Sequence, residues 1–394
     1  VGRGLKAGRG QNQKPGGEVA GWLADASAFT IPTDVRSCFK KVILMRLLAF
    51  SLAALLAWSS FAQAETAALV PVAVQMSAAA QQFLDSLDPK ERPRAMMAFD
   101  DPQRLDWTNV PKPTRKGIQL REMSLPQREK CHALLRASLS PAGYEKACRI
   151  MSLENNLREG EKNLTNGQLR DPERYFLTIF GTPGQQGVWG YSFEGHHLSL
   201  NFVVKDGEIF SDSPSFWGAN PATVSVFVEN GPENGVRTLT DEEQLAFDLV
   251  NALDDTQRQK AIIAAEAPSD YRGVGSPKPP EGPAEGLSVA EMTPAQKQTL
   301  WKLLEVYTGH LPKSVAAARQ AEIKEAGVDQ VHFAWLGATK PGVGHAYRIQ
   351  GPTFALDLVN VQSDPAGNKA NHIHSVWRSL KHDFGMITAA TPKK

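Results

Sequence analysis

The sequence predicts an α+β protein made of two related halves, each running from helices into antiparallel strands. Three observations carry this expectation. Two blocks of similarity recur in the same order along the 394-residue chain, the apolar period changes from helical to strand-like inside each half, and a Pro/Gly/Glu-rich stretch separates them. Repeats are sought first because they dictate how every later element is grouped.

The first block is Gly117-Ile-Gln-Leu-Arg-Glu-Met123 against Gly286-Leu-Ser-Val-Ala-Glu-Met292, extended by Gln127 with Gln296 and Leu134-Leu135 with Leu303-Leu304, at an offset of 169. The second is Gly181, Tyr191 and Gly195 against Gly337, Tyr347 and Gly351, ungapped at an offset of 156, so the second half is 13 residues shorter between the blocks.

In the first half, Leu134, Leu135 and Leu139, then Ala147, Ile150, Leu153 and Leu157, recur at helical spacing over 124–161, with Ser140-Pro141 as a break and a new helix start. After Asp171-Pro172 the period changes. Tyr175 to Phe180, Val188 to Glu194 and Leu198 to Val204 are aromatic and β-branched, with turn signals at 181–184 and 205–207. The second half repeats the plan with helices at Pro294–Tyr307 and Lys313–Ala326 and strands at His332–Leu336, His345–Gln350 and Phe354–Asn360. Short hairpin links favour antiparallel pairing. The expected layout is an N-terminal helical segment at 65–116, copy one at 117–266, a linker at 267–285 and copy two at 286–394, with the copies related by a pseudo-twofold axis.

Residues 45–64 read as a cleaved export signal. Lys40, Lys41 and Arg46 supply basic flanks, Leu47 to Trp58 the apolar run, and Ala62-Gln63-Ala64 the small-x-small cleavage site, making Glu65 the first mature residue. The alternative, a spanning anchor, needs about 20 apolar residues, and Ser59, Ser60 and Gln63 interrupt this run. Residues 1–44 are polar and Gly-rich and read as an upstream extension of the gene model, with Met45 as the start. The expected location is therefore periplasmic or secreted, without a stable membrane anchor.

Residues 1–64 hold eight of the 43 Lys/Arg and three of the 42 Asp/Glu, which leaves 35 basic against 39 acidic side chains, a net charge of about −4. With no basic run, this argues against a nucleic-acid partner. The remaining 330 residues can bury a full core without disulfides. Cys131 and Cys148, separated by 16 residues and on adjacent predicted helices, can pair in an oxidising compartment or stay as two buried thiols.

Chemistry concentrates in histidine. Of nine in the chain, four fall in Glu194-Gly195-His196-His197 and Asn371-His372-Ile373-His374. In an extended segment residues i and i+2 share a face, so His372 and His374 can address one ion. On a regular strand only one of His196 and His197 would join them, unless the Gly195 turn bends both inward. Copy two has Pro352-Thr353 where copy one has His196-His197, which suits a single composite site between the halves. The expectation is one divalent ion, zinc, copper or iron, held by His196, His197, His372 and His374, with a carboxylate from Glu194, Asp357 or Asp364 or an open position for water or substrate. The competing reading makes the histidines hydrogen-bonded core residues.

Glu194 and Arg378 are the candidate catalytic residues. Arginine's planar fork suits a carboxylate or phosphate on a ligand, beside Trp377 as an apolar wall. The ordinary alternative is an arginine paired with a local acid over a tryptophan, and Asp383-Phe384-Gly385 stands close by. Phe216 to Pro221 reads as an aromatic turn that rims a pocket or closes a hairpin. The mature chain carries no GxSxG, HExxH, phosphate loop or dinucleotide fingerprint.

Taken together, Tyr175 to Phe180 with Gly-Thr-Pro, Trp189-Gly190, Gly195 to Phe202, Gly218-Ala219-Asn220-Pro221, Gly351-Pro352 and Asn371 to Arg378 through Asp383-Phe384-Gly385 resemble the domain-of-unknown-function 3500 family. The resemblance runs from about Leu84 to Gly385 and implies one coherent unit, without implying a reaction. A departure is Gln350 before Gly351, where the family pattern tolerates His. Three functions are compatible with these residues: an exported metal-dependent hydrolase, a non-catalytic periplasmic protein binding a small-molecule ligand, and a structural envelope protein.

Overall fold

A glycine fixes the entry to each principal helical pair. Gly117 and Gly286 both sit at φ +91, and a Cβ on them would lie 2.4 and 2.2 Å from the carbonyl oxygens of Leu177 and Phe333, so only glycine fits between these turns and the strands beneath. Each is followed by a short strand, a single 3₁₀ turn and a capped helix. The Ser124 and Thr293 amides donate to the side-chain oxygens of Gln127 and Gln296 at 2.7 and 2.8 Å, with proline in the first turn of both helices.

The computed structural model describes residues 71–386; the expected leader at 45–64, the extension before it and residues 65–70 lie outside the described residues. The helices are α1 (Val72–Asp85), α2 (Leu125–Ser138), α3 (Pro141–Gly160), α4 (Thr240–Asn251), α5 (Asp255–Ala261), α6 (Pro294–Thr308) and α7 (Lys313–Gly327). The principal strands are β3 (Phe176–Phe180), β4 (Val188–Gly195), β5 (Leu198–Lys205), β6 (Glu208–Ser211), β7 (Ser215–Ala219), β10 (His332–Gly337), β11 (His345–Gln350), β12 (Phe354–Gln362) and β13 (His372–Ser379). Four short strands, β1 (Met96–Met97), β2 (Ile118–Gln119), β8 (Ile262–Ala264) and β9 (Leu287–Ser288), complete the set among the described residues. None of the described helices is long and apolar enough to cross a membrane.

These strands form one mixed sheet in the order β1-β3-β4-β5-β7-β13-β12-β11-β10-β8, with β2 on β3, β6 on β5 and β9 on β10. The order has the same plan from either end. A short parallel strand lies outside a three-stranded antiparallel meander, and the meander lies outside a central strand. The centre is the antiparallel pairing of β7 with β13, from Ser215 with Trp377 to Ala219 with Ile373. The expected strands are present, and the outermost pairs are parallel where only antiparallel pairing was expected.

Phe216 to Ala219, expected as a turn, belongs to β7 at the heart of the sheet. Its aromatics alternate between faces, Trp217 in the large core and Phe216 in the small one, because successive side chains on a strand point to opposite sides. The segment Thr240–Ala264, which the boundary at 266 places with the first half, runs through α4 and α5 into β8, which lies on β10 of the second. Among the described residues of 65–116 the helical part is α1, one turn at Arg92–Ala95 and a 3₁₀ turn at Pro102–Leu105.

The helices cover one face. Trp189, Tyr191, Phe193, Leu200, Trp335, Tyr347 and Leu356 from the sheet join Leu134, Ile150, Leu303 and Leu304 from the helices in the main core. The other face carries a smaller cluster of Trp107, Phe216, Tyr271, Leu336, Val359, Val376 and Phe384, covered by irregular chain from 98–117 and 265–286. The stretch expected as a linker is pinned to the sheet: Arg272 donates to both carboxylate oxygens of Asp357 at 2.7 to 3.1 Å. Cys131 and Cys148 are both free thiols, the first fully buried.

Under the helical layer, Glu242 in the first turn of α4 is fully buried and pairs with Lys146 of α3 and with His310 after α6, 3.1 Å away. Burial alone would raise its carboxyl, but the His310 hydrogen bond and the Lys146 charge outweigh burial and hold it at about 2. His310 is itself pushed down, by burial first and Lys146 second, so the charged partner is the lysine.

Two outcomes follow for Glu242→Gln. Removing the fully buried carboxylate from half-buried Lys146, which keeps only its His310 contact at 2.9 Å, costs up to about 3–5 kcal/mol. The wild-type carboxylate contributes fully above its ordinary value near 4.5 and its contribution is lost as pH falls towards 2. Urea unfolding between those pH values therefore steepens for the wild type and flattens for the variant; parallel profiles would show that Glu242 is not ionised in the fold.

Candidate metal centre

The histidine centre forms where the β4–β5 hairpin meets the junction of β7 and β13. His196 and His197 are the two-residue turn of that hairpin, and His197 takes a left-handed φ of 62. Histidine tolerates this region better than a β-branched residue does, and the chain pins the turn from three sides. The His197 amide donates to Asn109 O at 3.1 Å, its carbonyl accepts from the Gly218 amide at 2.8 Å, and Tyr175 Oη donates to His196 O at 2.6 Å. A Cβ at Gly218 would come within 3.0 Å of His197 Cδ2. Glycine at that strand position is what lets the imidazole lean across β7.

Gly218 pairs with His374, so leaning across β7 brings His197 onto β13. There His372 and His374 project from one face, the face that also carries Val376 and Arg378, while Ile373 and Ser375 face the helices. The three Nε2 atoms converge: His197 to His372 is 2.8 Å, His372 to His374 is 3.1 Å and His374 to His197 is 3.3 Å.

Three ring nitrogens at mutual hydrogen-bonding distance cannot satisfy one another. Each is a donor or an acceptor, so at least two of the three are alike and repel. A cation shared among three lone pairs removes the conflict. With metal–nitrogen bonds of about 2.0–2.1 Å, ligand edges of about 2.9 Å (octahedral) to 3.4 Å (tetrahedral) result, and the three distances lie close to this interval. Burial, then the neighbouring imidazoles, pushes His197 well below its ordinary value, and burial followed by His374 pushes His372 down to about 2. Neutral rings leave the Nε2 lone pairs available.

His374 Nδ1 donates to Asp270 Oδ1 at 2.8 Å, which fixes its tautomer with Nε2 as the acceptor and makes the ring a stronger ligand. Asp270 lies in the stretch expected as a linker. The neighbouring Tyr271 packs against Trp107 and Phe216 beside His374, and Arg272 makes the Asp357 contact. One irregular segment thus supplies the carboxylate, an aromatic wall and the anchor that holds both.

His196 is close but engaged elsewhere. Its ring stacks on His197 with centroids 3.7 Å apart, its Nδ1 meets Glu154 Oε1 at 2.5 Å, and Arg170 Nη1 lies 2.9 and 3.2 Å from its two nitrogens. It belongs to the surroundings of the centre, not to the converging set. Glu194 is paired with Lys116 and, at 3.7 Å, with Arg115; Asp357 is held by Arg272, and Asp364 accepts from Asn368 and Asn371 at 2.8 Å. None of these three carboxylates contacts a histidine of the centre. Arg378 adopts the ordinary arrangement, bonded to Asp383 at 2.6 Å with its guanidinium over the Trp107 ring. Glu194 and Arg378 are thus each buried in an ion pair, and Arg378 Nη1 is left as a buried nitrogen without a hydrogen-bond partner. Asp270, Glu154 and Arg170 were missed, and no spacing in the sequence ties them to residues 26 to 104 positions away.

Among families of known sequence, a model described as a protein of unknown function, DUF3500, matches residues 71–386, and the chain belongs to that family. Neither the curated proteins nor the solved structures include a match.

Asp270→Asn keeps the shape of the contact and removes the charge that orients His374. Its affinity for a divalent ion, measured by competition with a chromophoric chelator, falls roughly 10–100-fold with the melting temperature of the metal-free protein little changed. An unchanged affinity would remove Asp270 from the centre.

Proposed function

We propose that this protein is an exported, metal-dependent hydrolase whose single centre is held by His197, His372 and His374. The convergence of the three Nε2 atoms carries the reading. Three neutral protein ligands with a carboxylate behind one of them form a donor set suited to zinc, copper or iron, and they leave coordination positions for water and substrate. At those positions a divalent ion supplies an acidified water or a polarised substrate oxygen. The chain's own part is to hold the imidazoles convergent and to shield them with Trp107, Phe216 and Tyr271, with His372 the least buried of the three.

The reading includes an internal duplication. It is supported by the collinear sequence blocks, by the paired glycines at φ +91, by the matched capping of α2 and α6, and by a sheet order with one plan from both ends. On this view the first half gives His197 and the second gives His372 and His374, a composite centre at the β7–β13 junction. Export rests on the leader sequence at 45–64, with Glu65 as the expected first residue of the secreted chain.

Metal analysis of the untagged protein purified from the cell envelope or medium tests the reading, beside His372→Ala/His374→Ala. Near-stoichiometric metal in the wild type, lost in a still-folded variant, supports the centre and directs a screen of ester, amide and phosphoester substrates. No metal in either, with added zinc, copper or iron leaving the melting temperature unchanged, moves the function to ligand binding or envelope structure. Intact mass on the same sample reads whether the chain starts at Glu65.

A further inference from the structure

The turns that close the two helical pairs interlock. Helix α2 gives way at Leu139 and α6 at Gly309, and the chain beyond each runs against the other. The Ser140 amide donates to His310 O at 2.8 Å and the Ser140 hydroxyl to Gly309 O at 2.6 Å. Gly143 passes so close that a Cβ on it would meet His310 O at 2.3 Å. The turns thus satisfy one another's polar groups, and Pro141 and Pro312, at the starts of α3 and α7, have no N–H to offer.

Where α1 meets these turns the chain leaves a basin of about 470 Å³, open to solvent and within the size range of ligand pockets, roughly 300–1,000 Å³. Its walls are apolar: Val72 of α1, Ala137 and Leu139 at the end of α2, and Leu311, Pro312 and Ala316 around the start of α7. Two exposed cations, Arg136 and Lys313, line it and no acid does. Arg136 gives one nitrogen to the Tyr144 hydroxyl at 2.8 Å, and neither cation is in an ion pair among the described residues. A peptide or a sugar would bury amides or hydroxyls against walls with few free partners for them, which is unfavourable. A hydrocarbon chain needs no partners, and one negative charge at its end complements the two cations.

We propose that this basin binds a long-chain carboxylate, with its chain along the apolar walls and its head at Arg136 and Lys313. The nitrogens of the Arg136 fork that Tyr144 leaves free suit the two oxygens of a carboxylate. The basin lies among the helices, on the side of the sheet away from the histidine centre, so the inference goes beyond the metal reading and does not depend on it.

The test titrates the full chain, freed of bound lipid on a hydrophobic resin, with octanoate, decanoate and dodecanoate by isothermal calorimetry in about 0.1 M salt. Saturable binding at one site is expected, tightening about fourfold per added methylene as more chain leaves water. Decanoate binds about tenfold tighter than decyltrimethylammonium, whose head carries the opposite charge. Arg136→Gln/Lys313→Gln, at two exposed positions, abolishes that preference and keeps the dependence on chain length. Ala137→Phe fills the basin from a half-buried position on α2 and abolishes binding; if it unfolds the chain, the double variant carries the test. No saturable binding, an affinity that ignores chain length, equal affinity for the two head groups, or full binding by a folded Ala137→Phe protein overturns the inference. A dimer in the unliganded sample that Ala137→Phe dissociates makes a second copy the occupant and overturns it as well. None of these outcomes touches metal content, so this inference and the metal reading fail separately.

Discussion

The pairing of β7 with β13 is the constraint on which the rest depends. It joins the two meanders into one continuous sheet, so their helices must lie on a common face and bury a common core. The opposite face then has no helical cover. Irregular chain from 98–117 and 265–286 must protect it, and irregular chain can bring charged side chains against a sheet where a helix would bring an apolar stripe. Asp270, Arg272, Arg115 and Lys116 all arrive in this way, each matched to a partner beneath. The same pairing sets Gly218 opposite His374, and without that register His197 would meet another side chain instead of two imidazoles.

Two neighbouring sites on β13 treat buried polarity differently. On the helical side, Tyr307 bonds to Tyr347 at 2.7 Å and to Ser375 at 2.9 Å, and Tyr347 donates to the Glu242 carbonyl at 2.9 Å. Every hydroxyl in that chain has a partner of the right kind, as buried polar groups require. One residue along β13 from Ser375, on the other face, the three histidine Nε2 atoms have only one another. A satisfied network and an unsatisfied one at neighbouring positions of one strand are what make the histidine cluster a candidate binding centre. This contrast carries more weight than the presence of histidine alone.

Much of the fold was legible because it is local. Helices α2 and α3 announced themselves by apolar spacing and the Ser140-Pro141 break, and α6 and α7 by repeating that plan in the second half. The meander strands announced themselves by aromatic and β-branched runs between glycine turns. What failed is what depends on distant chain. Phe216 to Ala219 looks like a turn because Gly218 and Pro221 punctuate it, yet pairing on both sides makes it a strand. Ser269 to Arg272 lies in Pro/Gly-rich chain that has no period to read, so Asp270 was invisible although His374 was not. Of the four histidines singled out, three converge. The fourth, His196, is diverted by Glu154 and Arg170, which come from a helix and a loop that the sequence does not associate with the hairpin. Arg378 takes the local partner that its spacing already offered, Asp383 five residues on.

Under the proposed duplication, one question is why a symmetric scaffold would keep a single centre. The answer lies in the hairpin that corresponds to β4–β5. There Thr353 stands where His197 does, and its carbonyl accepts the Leu380 amide at 2.8 Å. Val203, the counterpart of Val359 beside His374, pairs with Ser211, and Gly385 packs so closely on it that a Cβ would come within 2.9 Å of the valine. Phe384 is anchored there as its amide donates to Ser213 O at 2.8 Å. The segment 380–386 therefore covers in the first half the place that lies beside the histidines in the second. Such a cover cannot be mirrored, since the chain would need an equivalent extension after β7, and there it continues instead as the loop that pairs with Asn371 and leads into α4. Asymmetry at the end of each half, more than the loss of individual histidines, leaves room for one centre.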